Sequence, residues 1–113
     1  PMSSVLNNAT AHFKDILAQN MKSVEVTEWN TTIYFKPATS FAQEQNVIKL
    51  HSEGKMVEAL VETLINRACD ADGKRIFKSA DKVTLMNEVD PAVILKVVNA
   101  MNDTGVAEGE LGN

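Results

Sequence analysis

The chain has 113 residues, 44% hydrophobic and 23% charged, which suits one domain with a single core and no need of covalent staples. Its formal charge of −4 and pI near 5.1 exclude an electrostatic nucleic-acid binder, because such domains carry a basic surplus. The one cysteine, Cys69, permits no internal disulfide and fits a reducing compartment.

From Ser4 to Asn20, the residues Leu6, Ala9, Phe13, Ile16 and Leu17 fall at helical spacing, with serines at the start to cap it, so an amphipathic helix is expected. Lys22 to Glu28 alternates, Val24 and Val26 on one face and Ser23, Glu25 and Thr27 on the other. Thr32 to Lys36 alternates too, with Ile33 and Phe35 opposite Tyr34. The short connector around Trp29, Asn30 and Thr31 makes the pair an antiparallel hairpin. Two strands alone are marginal in water, so their apolar face must lie on helices. Pro37 ends the second strand. Ser40 and Gln43 form a capping box that opens a helix running to about Glu53, with Phe41, Val47, Ile48 and Leu50 as its apolar face. Gly54 supplies a left-handed stop.

Met56 to Cys69 carries the cleanest pattern in the chain: Val57, Leu60, Val61, Leu64, Ile65 and Ala68 recur as one stripe, and the rest is expected to pack against it. Next, Ile76 and Phe77 make a short apolar contact, and Ser79 is placed to cap a helix from Ala80 to about Glu88 with Val83, Leu85 and Met86 apolar. Asp90 and Pro91 mark a last helix start. Val93, Ile94, Val97, Val98 and Met101 form its buried face, and it ends near Asn102. Asp103 to Asn113 holds three glycines and the acids Asp103, Glu108 and Glu110, and reads as a flexible acidic tail. Removing those three charges takes the body from −4 to −1, so the acidic balance belongs mostly to the tail. Residues 2–102 are read as one globular domain and 103–113 as the tail. The fold class is α+β: an N-terminal helix and a β-hairpin packed on about four further helices.

No constellation of residues carries chemistry. Asp70, Asp72 and Gly73 invite a calcium-loop reading, but with Gly73 at the sixth position Ala68 falls at the first and Ser79 at the twelfth, where carboxylates are needed. A tight turn explains the same residues. His12 and His51 lie in separate helices without partner acids or cysteines, and Cys69 has no neighbouring base, so no catalytic, cofactor-binding or metal-binding residue is assigned. The chain is read as a non-enzyme with no small-molecule substrate. No apolar run reaches the roughly 18 residues of a membrane span, and no basic and apolar leader opens the chain. Met2 is taken as the natural start, Pro1 as a leftover of cloning, and the compartment as the cytoplasm.

Three features in order resemble the tail assembly chaperones of long-tailed bacteriophages: the hairpin VEVTEWNTTIYFKP, the capped helix after it, and the segment LVETLINRACDADGKRIFKSAD. A closing aliphatic and asparagine-rich helix, ILKVVNAMND, completes the resemblance, which covers about residues 5 to 103. One departure is that Thr27 and Asn30 stand where the family usually has a turn glycine or proline. The resemblance implies a non-enzymatic protein of the infected bacterial cytoplasm that binds the long tape-measure protein, keeps its apolar helices soluble, promotes tail-tube assembly and is not retained in the virion. It also implies a longer frameshifted form in many relatives. The tail-tube protein is a further partner, and self-association into a homo-oligomer is compatible. The alternative keeps the fold as a structural tail-completion or neck component within the particle. Trp29 and Tyr34 are the partner-binding candidates, because Trp and Tyr are enriched at interface hot spots. Trp29 better suits the core or a hairpin staple, and Tyr34 suits either a partner contact or plain packing. Met86 and Met101 are expected in the core rather than on an adaptable surface.

Overall fold

Alternation in the two short apolar runs becomes a two-stranded antiparallel hairpin, β1 (Lys22–Val26) and β2 (Thr31–Phe35), in a computed structural model that describes residues 2–103, with side chains from Ser4 onward. Pairing of Val24 with Ile33 and of Lys22 with Phe35 sets the register, so Val26, Ile33 and Phe35 are buried while Ser23, Glu25 and Thr32 face outward. Around it lie α1 (Met2–Leu17), α2 (Phe41–Ser52), α3 (Met56–Arg67), α4 (Lys82–Asn87) and α5 (Pro91–Asn102). The α+β class read from the sequence is the class found. Pro1 and the segment 104–113, most of the acidic tail, lie outside the described residues.

The missing turn glycine is replaced by an asparagine. Thr27–Trp29 form one turn of 3₁₀ helix, and Asn30 takes the left-handed conformation at φ 52° that closes the hairpin. The first strand therefore stops at Val26, two residues before the boundary read from alternation. Asp70 to Gly73 is a turn, as expected: Asp70 Oδ1 accepts from the backbone N–H groups of Asp72 and Lys74 at 2.9 and 3.0 Å, and Gly73 sits at φ 84°.

Helix α3 occupies the centre. It packs along α2, joined to it by Gly54 at φ 76°, and it also meets α4 and α5. Val61, Leu64, Ile65 and Ala68 are buried with the apolar face of the hairpin and the whole predicted face of α5: Val93, Ile94, Val97, Val98 and Met101. Each such Val, Leu, Ile, Phe or Met side chain taken from water contributes about 1.5–3 kcal/mol. Because helices flank α3 on more than one side, Ala59 and Thr63 are buried as well, and the Thr63 hydroxyl donates to the Ala59 carbonyl at 3.0 Å. The stripe reading is corrected at its start, where Val57 is 62% exposed because the first turn of α3 extends past its neighbours. Among the helices it is α5 rather than α3 whose backbone lies along β1, although α3 side chains reach the same core.

Other readings are corrected as well. Phe41 is 86% exposed and Ile48 is also exposed, so α2 buries only Val47 fully; its capping box does form, with Ser40 Oγ accepting from Gln43 N–H and Gln43 Oε1 from Ser40 N–H. Ser79 does not cap a helix: Ser79–Asp81 is itself a 3₁₀ turn, and Asp81 Oδ2 accepts from Lys78 N–H at 2.8 Å. In the short α4 only Leu85 is buried, while Val83 and Met86 are exposed, so Met86 is not core. Asp90 caps α5 as expected, accepting from Ala92 N–H at 2.9 Å ahead of Pro91. Helix α1 begins at Met2, which puts the serines inside its first turn, and residues 4–12 are exposed throughout. It stands off the body that it was expected to pack against.

Candidate functional site: an apolar groove beside the hairpin turn

An open apolar groove of about 310 Å3 lies between the hairpin turn, the loop after Gly73 and α4, lined by Trp29, Thr31, Ile33, Ile76, Phe77, Leu85 and Val89. The hairpin register sends Ile33 inward, and the α4 turn sends Leu85 to meet it, so these two form a buried floor. Trp29, Phe77 and Val89 pack against the core but stay partly open as walls, and Ile76 is exposed on the rim. Trp29 meets Phe77 edge to face, with centroids 6.4 Å apart and planes at 77°. The turn that carries Trp29 is tied to α5 by Lys96 Nζ donating to Glu28 Oε1 at 3.1 Å. The Glu28 backbone hydrogen bond, and after it the bond from Lys96, hold that carboxyl below its ordinary range.

Of the lining residues only Thr31 brings a polar side chain, so the groove offers area and shape but no acid, base or nucleophile. It fits the apolar side of an amphipathic helix, in the mode of a helix laid in a groove. The two candidates read from the sequence separate here. Trp29 both staples the turn and lines the groove; Tyr34 lies on the opposite face of β2, half-exposed and away from it. Tyr34 instead extends the pairing: its N–H and C=O exchange hydrogen bonds with Cys69 at 2.9 and 2.8 Å, and Cys69 bridges onward to Arg75. Cys69 is buried beneath this crossing, and burial, with Asp70 beside it, pushes its thiol up. Sequence reasoning missed Ile76, Phe77, Leu85 and Val89 as a site. The one signal was the pair Ile76-Phe77, an apolar step within a charged loop.

The other clefts are polar. One, lined by Lys36, Gln43, Asn66, Arg67 and Arg75 among others, joins α2, α3 and the Asp70 turn. Both guanidinium groups donate to backbone carbonyls, while Arg67 Nε is buried without an acceptor among the described residues. Arg67 donates to Met101 at 2.7 Å and Lys36 at 2.8 Å, lying 5.5 Å from the centre of the Phe35 ring, and Arg75 donates to Ile65 at 2.9 Å. Burial lowers the Arg67 pKa, against the pull of Glu44. Arg67 thus binds the end of α3 to the ends of β2 and α5, a structural joint that the sequence did not announce. Among the described residues no three His, Cys, Asp or Glu side chains converge as metal ligands, and no helix is long and apolar enough to cross a membrane.

This fold, a short hairpin laid on a helical body, is shared with a phage tail assembly chaperone. The solved structure in question is that of the bacteriophage HK97 tail assembly chaperone, which superposes with a TM-score of 0.57 over 87% of this chain and 97% of that one at 18% identity. No protein-family model and no curated protein sequence matches the chain. The fold implied by the sequence resemblance is therefore the fold observed.

Proposed function

We propose that the chain is a phage tail assembly chaperone, acting in the cytoplasm of the infected cell by binding and not by catalysis. It holds apolar stripes of the helical tape-measure protein in the groove beneath Trp29 and releases them as tail-tube subunits assemble. The observation that carries this reading is the groove itself: an open apolar surface, next to an aromatic pair, on a fold shared with such a chaperone. The chemistry matches a client whose helices would otherwise aggregate through the same apolar faces.

The test is to co-express the neighbouring tape-measure gene with the wild-type chain or with Ile76→Asp. Ile76 lies on the rim, so a carboxylate there charges the groove without opening the core. Wild type is expected to keep the tape-measure protein soluble and to purify with it, and Ile76→Asp to lose both. A well-expressed tape-measure protein that stays insoluble with wild type would overturn the reading and favour a structural component retained in the particle.

A further inference from the structure

Asp103, the last described residue, stands in the wall of a polar cleft of about 420 Å3 that Lys22, Thr39 and Arg67 also line. Thr39 and Arg67 line the two neighbouring clefts as well, of about 140 and 280 Å3, and these add Lys36 and Arg75. The three form one hollow between the open end of the hairpin, α2 and α3. Its walls gather Lys22, Lys36, Arg67 and Arg75 against Glu44 and Asp103, on a body whose formal charge is −1. Among the described residues, Lys22, Lys36 and Arg75 form no ion pair with a carboxylate. Arg75 is exposed and spends a single N–H on the Ile65 carbonyl, which leaves the rest of its fork for an incoming acceptor.

These cations are strung along the hollow and do not converge on a point: Lys22 lines one end and Arg75 the other, with Arg67 common to both. A row of charges fits an acidic chain better than a single small anion. The chain carries such a segment directly beyond Asp103, with Glu108 and Glu110 in it. At about 3.3 Å per residue those acids reach at most about 17 and 23 Å from Asp103. Arg67 lies at the start of that path, since it already holds the Met101 carbonyl at 2.7 Å. In an extended chain residues two apart share a face, so both carboxylates can turn to the same wall, with Gly109 between them adding no bulk. Each exposed ion pair is weak, but a tethered ligand acts at an effective concentration on the order of millimolar, so an affinity too low to matter in trans suffices in cis.

We propose that this hollow is a binding site for an extended acidic segment, and that its occupant is residues 104–113 of the same chain, with Glu108 and Glu110 set against Lys36, Arg67 and Arg75. The site is separate from the apolar groove beside Trp29 and does not depend on the function proposed for that groove. Docking there ties the exit of α5 to the hairpin and to the end of α3. An acidic segment of a partner then enters only by displacing the tail, and its apparent affinity is lowered by the fraction of sites already filled.

Backbone order parameters from amide relaxation of the full chain test the proposal. At about 10 mM salt, where screening is weak, residues 106–111 are expected above the flexible range, which lies below about 0.6, and at about 1 M salt they are expected to fall into it. Glu108→Gln combined with Glu110→Gln removes the charges without touching the body, and is expected to leave the tail in the flexible range at either salt. Its amide shifts should differ from those of wild type at residues 36–39, 66–67 and 75. Lys36→Glu, at an exposed position, is expected to lower the docked fraction several-fold. Wild-type tail amides already in the flexible range at low salt overturn the proposal, as do shifts confined to other surfaces or order that survives both glutamine substitutions. Docking that weakens on dilution gives the site to the tail of a second copy. A loose tail beside a cleft that a glutamate-rich peptide saturates gives it to a partner, and either result overturns occupancy in cis.

Discussion

Helices α3 and α1 carry the same kind of apolar stripe and meet opposite fates. In α3, Ala59 and Leu64 are wholly buried, because α2, α4 and α5 close around the helix. In α1 the stripe faces water from Val5 to Ala9, because only its last turn touches the body. Periodicity specifies a face but not the partner of that face.

The comparison breaks most sharply at Leu64→Ala, expected to destabilise by about 2–5 kcal/mol from lost burial and the cavity left behind. Chemical denaturation measures it, and a loss below about 0.5 kcal/mol would remove Leu64 from the core. Arg67→Met keeps an apolar stem, removes the guanidinium from over the Phe35 ring and strands the carbonyls of Lys36 and Met101. A loss of about 1–3 kcal/mol in the same assay is expected, and an unchanged midpoint would show that water satisfies both carbonyls. Asp90→Ala removes the cap of α5 and is expected to cost about 1 kcal/mol, with Asp90→Asn largely restoring it. Leu6→Ala is the counterpart to Leu64→Ala on the open stripe. Its effect on stability is expected within about 0.5 kcal/mol, so a larger loss would mean that α1 packs on the body after all.

The smallest effect concerns pH. The Glu28 carboxyl is held below its ordinary value near 4.5, so its contribution is present above that value and is lost as pH falls through the lower folded-state value. The melting temperature of wild type should therefore fall slightly more below pH 4.5 than that of Glu28→Gln. Parallel curves would assign the acid sensitivity to other groups.

Local chemistry made most of the scaffold legible. Asp90-Pro91, the Ser40 capping box, Gly54 and the Asp70–Gly73 turn are contained within a few residues each, and all four form as read. The face of α5 was legible for a related reason: five aliphatic residues at helical spacing leave no other side to bury. Ser79 was misread because Asp81, two residues on, turns its carboxylate back onto Lys78 N–H, and the residues between fold as a 3₁₀ turn ahead of α4. Phe41, Val57 and Val83 were misassigned because the ends and outer sides of short helices extend beyond their neighbours.

The groove could not be read at all, since it draws Trp29 and Ile33 from the hairpin, Ile76 and Phe77 from a loop, and Leu85 and Val89 from the α4 region. Arg67 was hidden in the same way, its two acceptor carbonyls lying 31 and 34 residues away. The sequence by itself determined which segments coil, which pair, and which faces are apolar, because these follow from spacing and from side chains acting on their own backbone. Tertiary structure alone decided which apolar faces were closed and which were left open, because burial depends on the volume that distant segments fill, and that is set only when they meet.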